Sequence, residues 1–471
     1  MQLALLPAID QLRLLRAGDI TAVELLEACL AQYETHNPRL NAIVVTQVER
    51  ARADAAAADA AAARGDWLGP LHGLPLTIKE CIDWTGTPST WGDPRHVDYE
   101  PAEDAQVVVQ LRRAGAVLYG KTNVPLHLAA WQTYNEIHGR TNNPWNPDRS
   151  AGGSSGGSAV SVATGMASLE MGSDIGGSIR WPANYNGVAG LKPTFGLVSA
   201  HGHSFPGHEG EVDNNVVGPI ARTVADLELM LPVISQPHVS LPEPAQQTLG
   251  DFRVGVLLDN PIGVQSTEVA TVHRRTVDRL RDAGITVVEP LPADFLAAAH
   301  QVGLELVRAA STGPSDPPSA AALQRFDDGA RDYDAFAAQS HRITHRAWID
   351  LHNERERIRL RWRDYFAEVD VLLTPVTPTT APPHDTERPF NERTVTVDGV
   401  ERSIMEQWFW AGLANPTYLP AVAFPVAVAS DGLPVGTQAL GPHMGDRTVL
   451  RFAALAQELL GHPLDELHAR L

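Results

Sequence analysis

The sequence predicts one large α/β domain, and three observations carry that prediction. Helix-compatible and strand-compatible runs alternate, as where a helix over 103–114 (Asp104, Val107, Val108, Leu111) passes through Gly115 into a strand at Ala116–Tyr119. Glycine- and proline-punctuated motifs are spread from Lys79 to Gly436. The 471 residues would by length alone make roughly three domains, but motifs spread this widely tie them into one.

Taken in order, Thr21-x-x-Glu24 is a capping-box pattern. It opens a helix whose apolar face is Leu25, Leu26, Cys29 and Leu30, and which is expected to end before Asn37-Pro38. Ala42–Val45 is a short strand, and the alanine-rich residues 51–64 form a second helix of high propensity. Leu74–Ile82 reads as a strand containing Lys79. A helix-compatible run follows at Ala159–Met166, and Asn214–Ile220 leads into a helix over 222–233. Residues 236–249 read as a surface connection. Phe252–Leu258 is a strand, 266–283 a helix, Ile285–Val288 a strand and 312–319 a loop. Ile343, Ala347, Leu351, Ile358, Trp362 and Phe366 give 341–366 the apolar spacing of a long amphipathic helix. Strands at 370–374 and 421–429 close the sheet, and the last helix covers 447–460.

A formal charge of −19, from 37 Lys+Arg against 56 Asp+Glu, disfavours direct binding to nucleic acid or to an anionic membrane surface. Two cysteines, Cys29 and Cys81, are too few for a disulfide framework and read as reduced thiols. Cys81, two residues past Lys79, is a candidate modification point. The first residues lack a basic leader with a small-residue cleavage site, and no apolar run approaches the ~18 residues of a spanning helix. The expectation is a cytoplasmic protein. His341 and His345 have the i, i+4 spacing of a metal pair, but Arg342 stands where H-E-x-x-H has glutamate and no third ligand is near, so no metal and no cofactor are expected.

The stretch that concentrates chemistry is Ser150–Thr194. It holds two glycine-serine clusters, Gly152-Gly153-Ser154-Ser155-Gly156-Gly157 and Gly176-Gly177-Ser178, separated by apolar sequence that would pack and so is not a flexible linker. Glycines permit close backbone approach. Spacing alone leaves two readings: an exposed serine nucleophile with N–H donors beside it, or a phosphate-cradling loop. The run GGSSGGS, then SDIGGSIR and GVAGLKPT, resembles the amidase signature family. So do Gly69–Glu80 (GPLHGLPLTIKE), Gly120–Pro125 (GKTNVP), Asp370–Pro375 and Gly432–Gly436, which extends the resemblance over nearly the whole chain.

The resemblance implies a central mixed β-sheet flanked by helices, with 1–65 as an N-terminal helical layer, 66–235 as the catalytic core and 236–471 supplying the rest of the sheet and pocket segments. It implies a Ser–Ser–Lys group, carried over as Lys79, the bridging Ser154 and the nucleophile Ser178, with backbone N–H groups of Ile175, Gly176, Gly177 and Ser178 as an oxyanion hole. Ser155, Ser173, Asp174 and Arg180 are expected to support the loop, Ser173 standing where threonine is common. Glu80 and Asn186 replace a frequent aspartate and cysteine. Leu128 aligns with a position whose carbonyl faces the leaving nitrogen, and Trp131, Tyr134 and Trp410 are pocket candidates, with Trp91, Trp408 and Phe409 as further aromatics. His201, His203 and His208 are expected at the entrance. The physical logic of the triad stands beside the resemblance: a serine needs a base, and a lysine becomes one near neutral pH only when desolvated, which Leu76, Ile78 and Ile82 favour. The implied activity is hydrolysis of a small-molecule amide, with aryl amides, carbamates and esters open to the same relay. Two alternatives stand beside it: the amidase subunit of a tRNA-dependent amidotransferase, from whose usual sequence Ser199–Pro206 departs, and a non-catalytic binding protein, against which the three retained residues argue. A membrane-bound fatty amide hydrolase lacks a visible anchor here. A homodimer is compatible with the acidic charge.

Overall fold

Eleven strands form one continuous sheet in the computed structural model of this chain, which describes residues 2–311, 319–330, 333–388 and 390–470. The strands are β1 (Ile43–Thr46), β2 (Pro75–Lys79), β3 (Val117–Thr122), β4 (Leu169–Asp174), β5 (Ala189–Lys192), β6 (Val216–Ala221), β7 (Arg253–Val256), β8 (Thr286–Val288), β9 (Val371–Pro375), β10 (Ala421–Val428) and β11 (Pro434–Leu440). Their spatial order is β1-β3-β2-β4-β6-β5-β10-β11-β9-β7-β8. The β3-β2-β4 and β9-β7-β8 groups run parallel, and antiparallel pairings join them through the middle, so the sheet is mixed. Central strands are buried on both faces, which is why they read as short apolar runs rather than as alternating ones.

Several boundaries differ from the sequence reading for identifiable reasons. The helix capped by Thr21 and Glu24 runs through Pro38 to Leu40. Pro38 lies in the last turn, where it removes one i→i−4 hydrogen bond but has only two helical residues after it, and Asn41 ends the helix in a left-handed conformation with its N–H on the Asn37 carbonyl at 2.7 Å. Strand β2 stops at Lys79 instead of Ile82, because Ile82 N–H turns back to the Lys79 carbonyl at 2.9 Å. The helix expected at 159–166 begins earlier, at Gly156, and ends at Ala163. His345 opens the long helix, with Thr344 as its N-cap, and His341 sits in the preceding turn, so the two histidines share no helix face. Helices at Ala293–Ala310 and Ala320–Asp327 have no counterpart in the sequence reading. Most of the expected 312–319 loop lies outside the described residues; Ser319 caps the second of these helices.

Candidate active site

The site gathers at the ends of β2 and β4, where two adjacent parallel strands deliver their last residues to one edge of the sheet. Lys79 is the final residue of β2 and is wholly buried. Its Nζ donates to Ser154 Oγ at 2.6 Å and to Ser173 Oγ at 2.9 Å. Burial pushes the Lys79 amine down to about 8, with neighbouring acidic groups offsetting part of the effect. Ser154 follows a cis peptide bond from Gly153. Ser173, near the end of β4, thus gives the lysine a second hydrogen-bond partner.

Ser155 ties this cluster to the next. Its Oγ donates to the Ser173 carbonyl at 3.2 Å, and its N–H donates to the Ser178 carbonyl at 3.1 Å. Ser178 opens onto a pocket and sits just before the helix Arg180–Asn186. Asp174, the last residue of β4, holds the turn between them. Its carboxylate accepts from Gly177 N–H at 2.8 Å and Ile179 N–H at 3.1 Å, and forms a two-pronged pair with Arg180, both distances 3.1 Å. Burial alone would raise the Asp174 carboxyl, but the Arg180 charge and the hydrogen bonds from Arg180, Asn415 and Gly177 outweigh it and hold it well below the usual range. Arg180 is anchored in turn by Ala411 O, Gln438 Oε1 and Asn415 Oδ1.

This arrangement sorts the four N–H groups expected to face an oxyanion. The Gly177 N–H is committed to Asp174 and is not a free donor, which corrects that expectation. Those of Ile175, Gly176 and Ser178 meet no acceptor among the described residues. Gly177 has φ of +103°, and a Cβ there would lie 2.7 Å from Trp181 Nε1, so only glycine fits the turn.

The pocket above Ser178 holds about 260 Å³. Its walls are aromatic: Trp91, Phe205, Trp131, Phe390, Trp408 and the His203 ring. Trp91 stacks on Phe205 with centroids 4.3 Å apart. Trp131 packs on Trp181 at 4.2 Å and donates Nε1–H to the Gly176 carbonyl at 3.2 Å. Leu128 also lines the pocket. Two aromatic candidates fall elsewhere. Trp410 is fully buried against Phe409, Leu257 and Leu413 in a separate core cluster, and Phe409 goes with it. Tyr134 lies in a small hairpin with Arg393 on its hydroxyl, outside the pocket walls. The helical period decides the Trp408–Trp410 choice: residues two apart face different sides.

Of the entrance histidines, only His203 reaches the pocket, and it is buried. Burial, reinforced by the Lys79 charge, pushes it down to about 3, so it is neutral. Its Nε2 contacts Cys81 Sγ at 3.4 Å. Cys81 is itself inaccessible, and burial pushes its thiol up to about 12, which removes it as a modification point. Glu80, the residue after the lysine, accepts Thr90 N–H at 2.5 Å and Trp91 N–H at 3.0 Å, fixing the turn that presents Trp91. Among the described residues no three His, Cys, Asp or Glu converge as a metal site.

Residues 24–450 match the family model described as Amidase. An indoleacetamide hydrolase of Bradyrhizobium diazoefficiens is 34% identical, over 96% of this chain and 86% of that one. A glutamyl-tRNA(Gln) amidotransferase subunit of Roseiflexus sp. is 33% identical over 96% and 95%. Among solved structures, one described as an amidase superposes with a TM-score of 0.81 at 31% identity, covering 97% of this chain and all of the other.

Proposed function

The chain belongs to the amidase family and is an amidase, and from that premise we propose that it hydrolyses arylalkyl or aryl amides through an acyl-enzyme on Ser178. The observation that carries this reading is the buried 2.6 Å contact between Lys79 Nζ and Ser154 Oγ beside an aromatic pocket that Ser178 lines. Neutral Lys79 accepts a proton relayed by Ser154 from the Ser178 hydroxyl, and Ser178 Oγ attacks the amide carbonyl carbon. The N–H groups of Ile175, Gly176 and Ser178 meet the developing oxyanion, each such donor being worth about 3 kcal/mol elsewhere. The C–N bond then breaks, and the relay returns the proton to the departing amine. Water attacks the acyl ester with the same relay as base, releasing the carboxylate and restoring Ser178.

The aromatic walls, and a relative named for indoleacetamide, support an acyl group carrying a flat ring. The 33% identity to an amidotransferase component favours a second reading, ammonia supply from glutamine to a partner protein. A panel of phenylacetamide, indoleacetamide, an anilide, an aryl ester and glutamine, run on wild type and Ser178→Ala, separates them. Turnover of phenylacetamide and indoleacetamide that disappears in Ser178→Ala is expected; turnover of glutamine alone overturns the stand-alone reading. Among the described residues no helix is long and apolar enough to cross a membrane.

A further inference from the structure

One wall of the pocket is built from backbone that side chains other than glycine rarely adopt. Trp91, His127 and Leu128 all line the pocket, and their φ angles are +57°, +53° and +59°. Left-handed backbone costs an ordinary residue about 1–2 kcal/mol, and such strain persists where the surroundings impose it. Here the braces are visible. His127 N–H donates to the Trp91 carbonyl at 2.8 Å, and Leu128 N–H donates to the Pro125 carbonyl at 3.0 Å. His127 Nε2 donates to Asp93 Oδ2 at 2.6 Å. Asp93 is buried and also accepts from Arg95 through its backbone N–H, Nε and Nη2. The Arg95 and hydrogen-bonded His127 groups hold the Asp93 carboxyl well below the usual range, so it is an anion and a strong acceptor. The imidazole is latched to Asp93 through Nε2, which Arg95 Nη2 also approaches at 3.3 Å, and it packs edge-on against Phe205, centroids 5.4 Å apart at 82°.

The position of this wall relative to the relay follows from the chain just downstream. A Cβ at Gly153 would lie 2.6 Å from the Ala130 carbonyl oxygen, 2.8 Å from Gln132 N and 2.9 Å from the Trp131 carbonyl carbon, so residues 130–132 run in contact with the backbone that delivers Ser154. The side chains of Trp131 and Trp408, by contrast, stand against Gly176 of the oxyanion loop. The departing nitrogen must face Ser154 to be protonated. The His127–Ala130 side of the pocket is therefore where the amine part of the substrate sits.

We propose that His127, latched by Asp93, is a specificity-determining residue that closes the leaving-amine end of the pocket and restricts turnover to amides of ammonia or of small amines. The inference rests on the acyl-enzyme reading above. A wall braced on Asp93, Trp91 and Phe205 does not yield to a bulky N-substituent as a loose loop would.

The test compares kcat/KM for phenylacetamide, N-methylphenylacetamide and phenylacetanilide, with acetamide added to vary the acyl group. The variant is His127→Asn, because asparagine tolerates left-handed backbone; its shorter amide does not span the distance that Nε2 covers to Asp93, so the width of the ring and the latch are lost together. Asp93→Asn is the second variant, which loosens the latch and keeps the ring. The expected result is that both raise the anilide-to-primary-amide ratio, His127→Asn by about tenfold or more, with the phenylacetamide-to-acetamide ratio unmoved. An unchanged leaving-group ratio in His127→Asn, or a change confined to the acyl series, overturns the assignment while leaving the amidase reaction intact. Wild-type inactivity on all four amides instead overturns the acyl-enzyme reading itself, and with it this inference.

Discussion

Lys79 supplies the sharpest quantitative test, because one buried amine must make itself felt in both catalysis and stability. Burial brings it down from 10.5 to about 8. As the base, it must be neutral, so kcat/KM should rise with pH through about 8 and level off above it. The same shift has a thermodynamic sign. Between the folded and unfolded values the unfolded chain binds the extra proton, so stability rises as pH increases across that window. At pH 7 both states are protonated, and the folded protein carries the full cost of a buried ammonium, about 3 kcal/mol at 1.4 kcal/mol per unit.

Lys79→Met removes that cost. It also leaves Ser154 Oγ and Ser173 Oγ without their donor, a loss of about 1–2 kcal/mol. The inactive variant should therefore be more stable than wild type at pH 7 by about 1–2 kcal/mol, and the advantage should vanish or reverse by pH 10. Urea unfolding of both proteins at pH 7, 8.5 and 10, followed by tryptophan fluorescence, reads the difference. A difference that stays constant across that range, or an acid limb of kcat/KM centred near 6, would refute a relay that depends on a desolvated lysine.

Four other perturbations separate support from chemistry. Arg180→Met should strand the Asp174 carboxylate in a dry interior and destabilise by about 3–5 kcal/mol, seen as a lowered urea midpoint with loss of activity. Trp408→Ala should raise KM for aryl amides by about tenfold, the equivalent of about 1.4 kcal/mol of aromatic contact, with less change in unfolding midpoint than its neighbour shows. Trp410→Ala should do the opposite, costing about 3–5 kcal/mol of stability in a core cavity while KM holds, since its side chain is wholly buried outside the pocket. Cys81 should resist thiol reagents in the folded protein and react only on denaturation, which mass spectrometry of the alkylated protein checks.

The sequence is legible where local pattern and chemistry coincide. A capping box announces the helix that starts at Ala22, and amphipathic spacing announces the long helix, though not its start at His345, because those signals act within a few residues. The helix at Gly156–Ala163 starts earlier than its pattern suggests because glycines argue against a helical start on propensity. They are needed there for contact: a Cβ at Gly157 would lie 2.4 Å from Asn123 N, a neighbour more than thirty residues away in the chain. The strand Pro434–Leu440 is hidden for a related reason. Its pairing on both edges, with β10 and β9, makes it central, and a central strand carries no alternation to read.

The same division runs through the site. Lys79, Ser154, Ser173 and Asp174 occupy strand ends and tight turns inside recognisable motifs, and the sheet brings them together by pairing β2 with β4. What holds and walls them comes from far along the chain. Asn415 and Gln438 anchor Arg180 from more than two hundred residues downstream, and Phe390 and Trp408 reach the pocket across a similar span. Asp93 and His127 are thirty-four residues apart and lie in no motif; only a fold that forces both Trp91 and His127 into left-handed backbone makes them partners. Chemistry is thus encoded in short motifs because each reacting group must be placed to a fraction of an ångström by its own backbone. The pocket walls, on which the proposed selectivity rests, are set by long-range packing, and that is why they must be read from the folded chain.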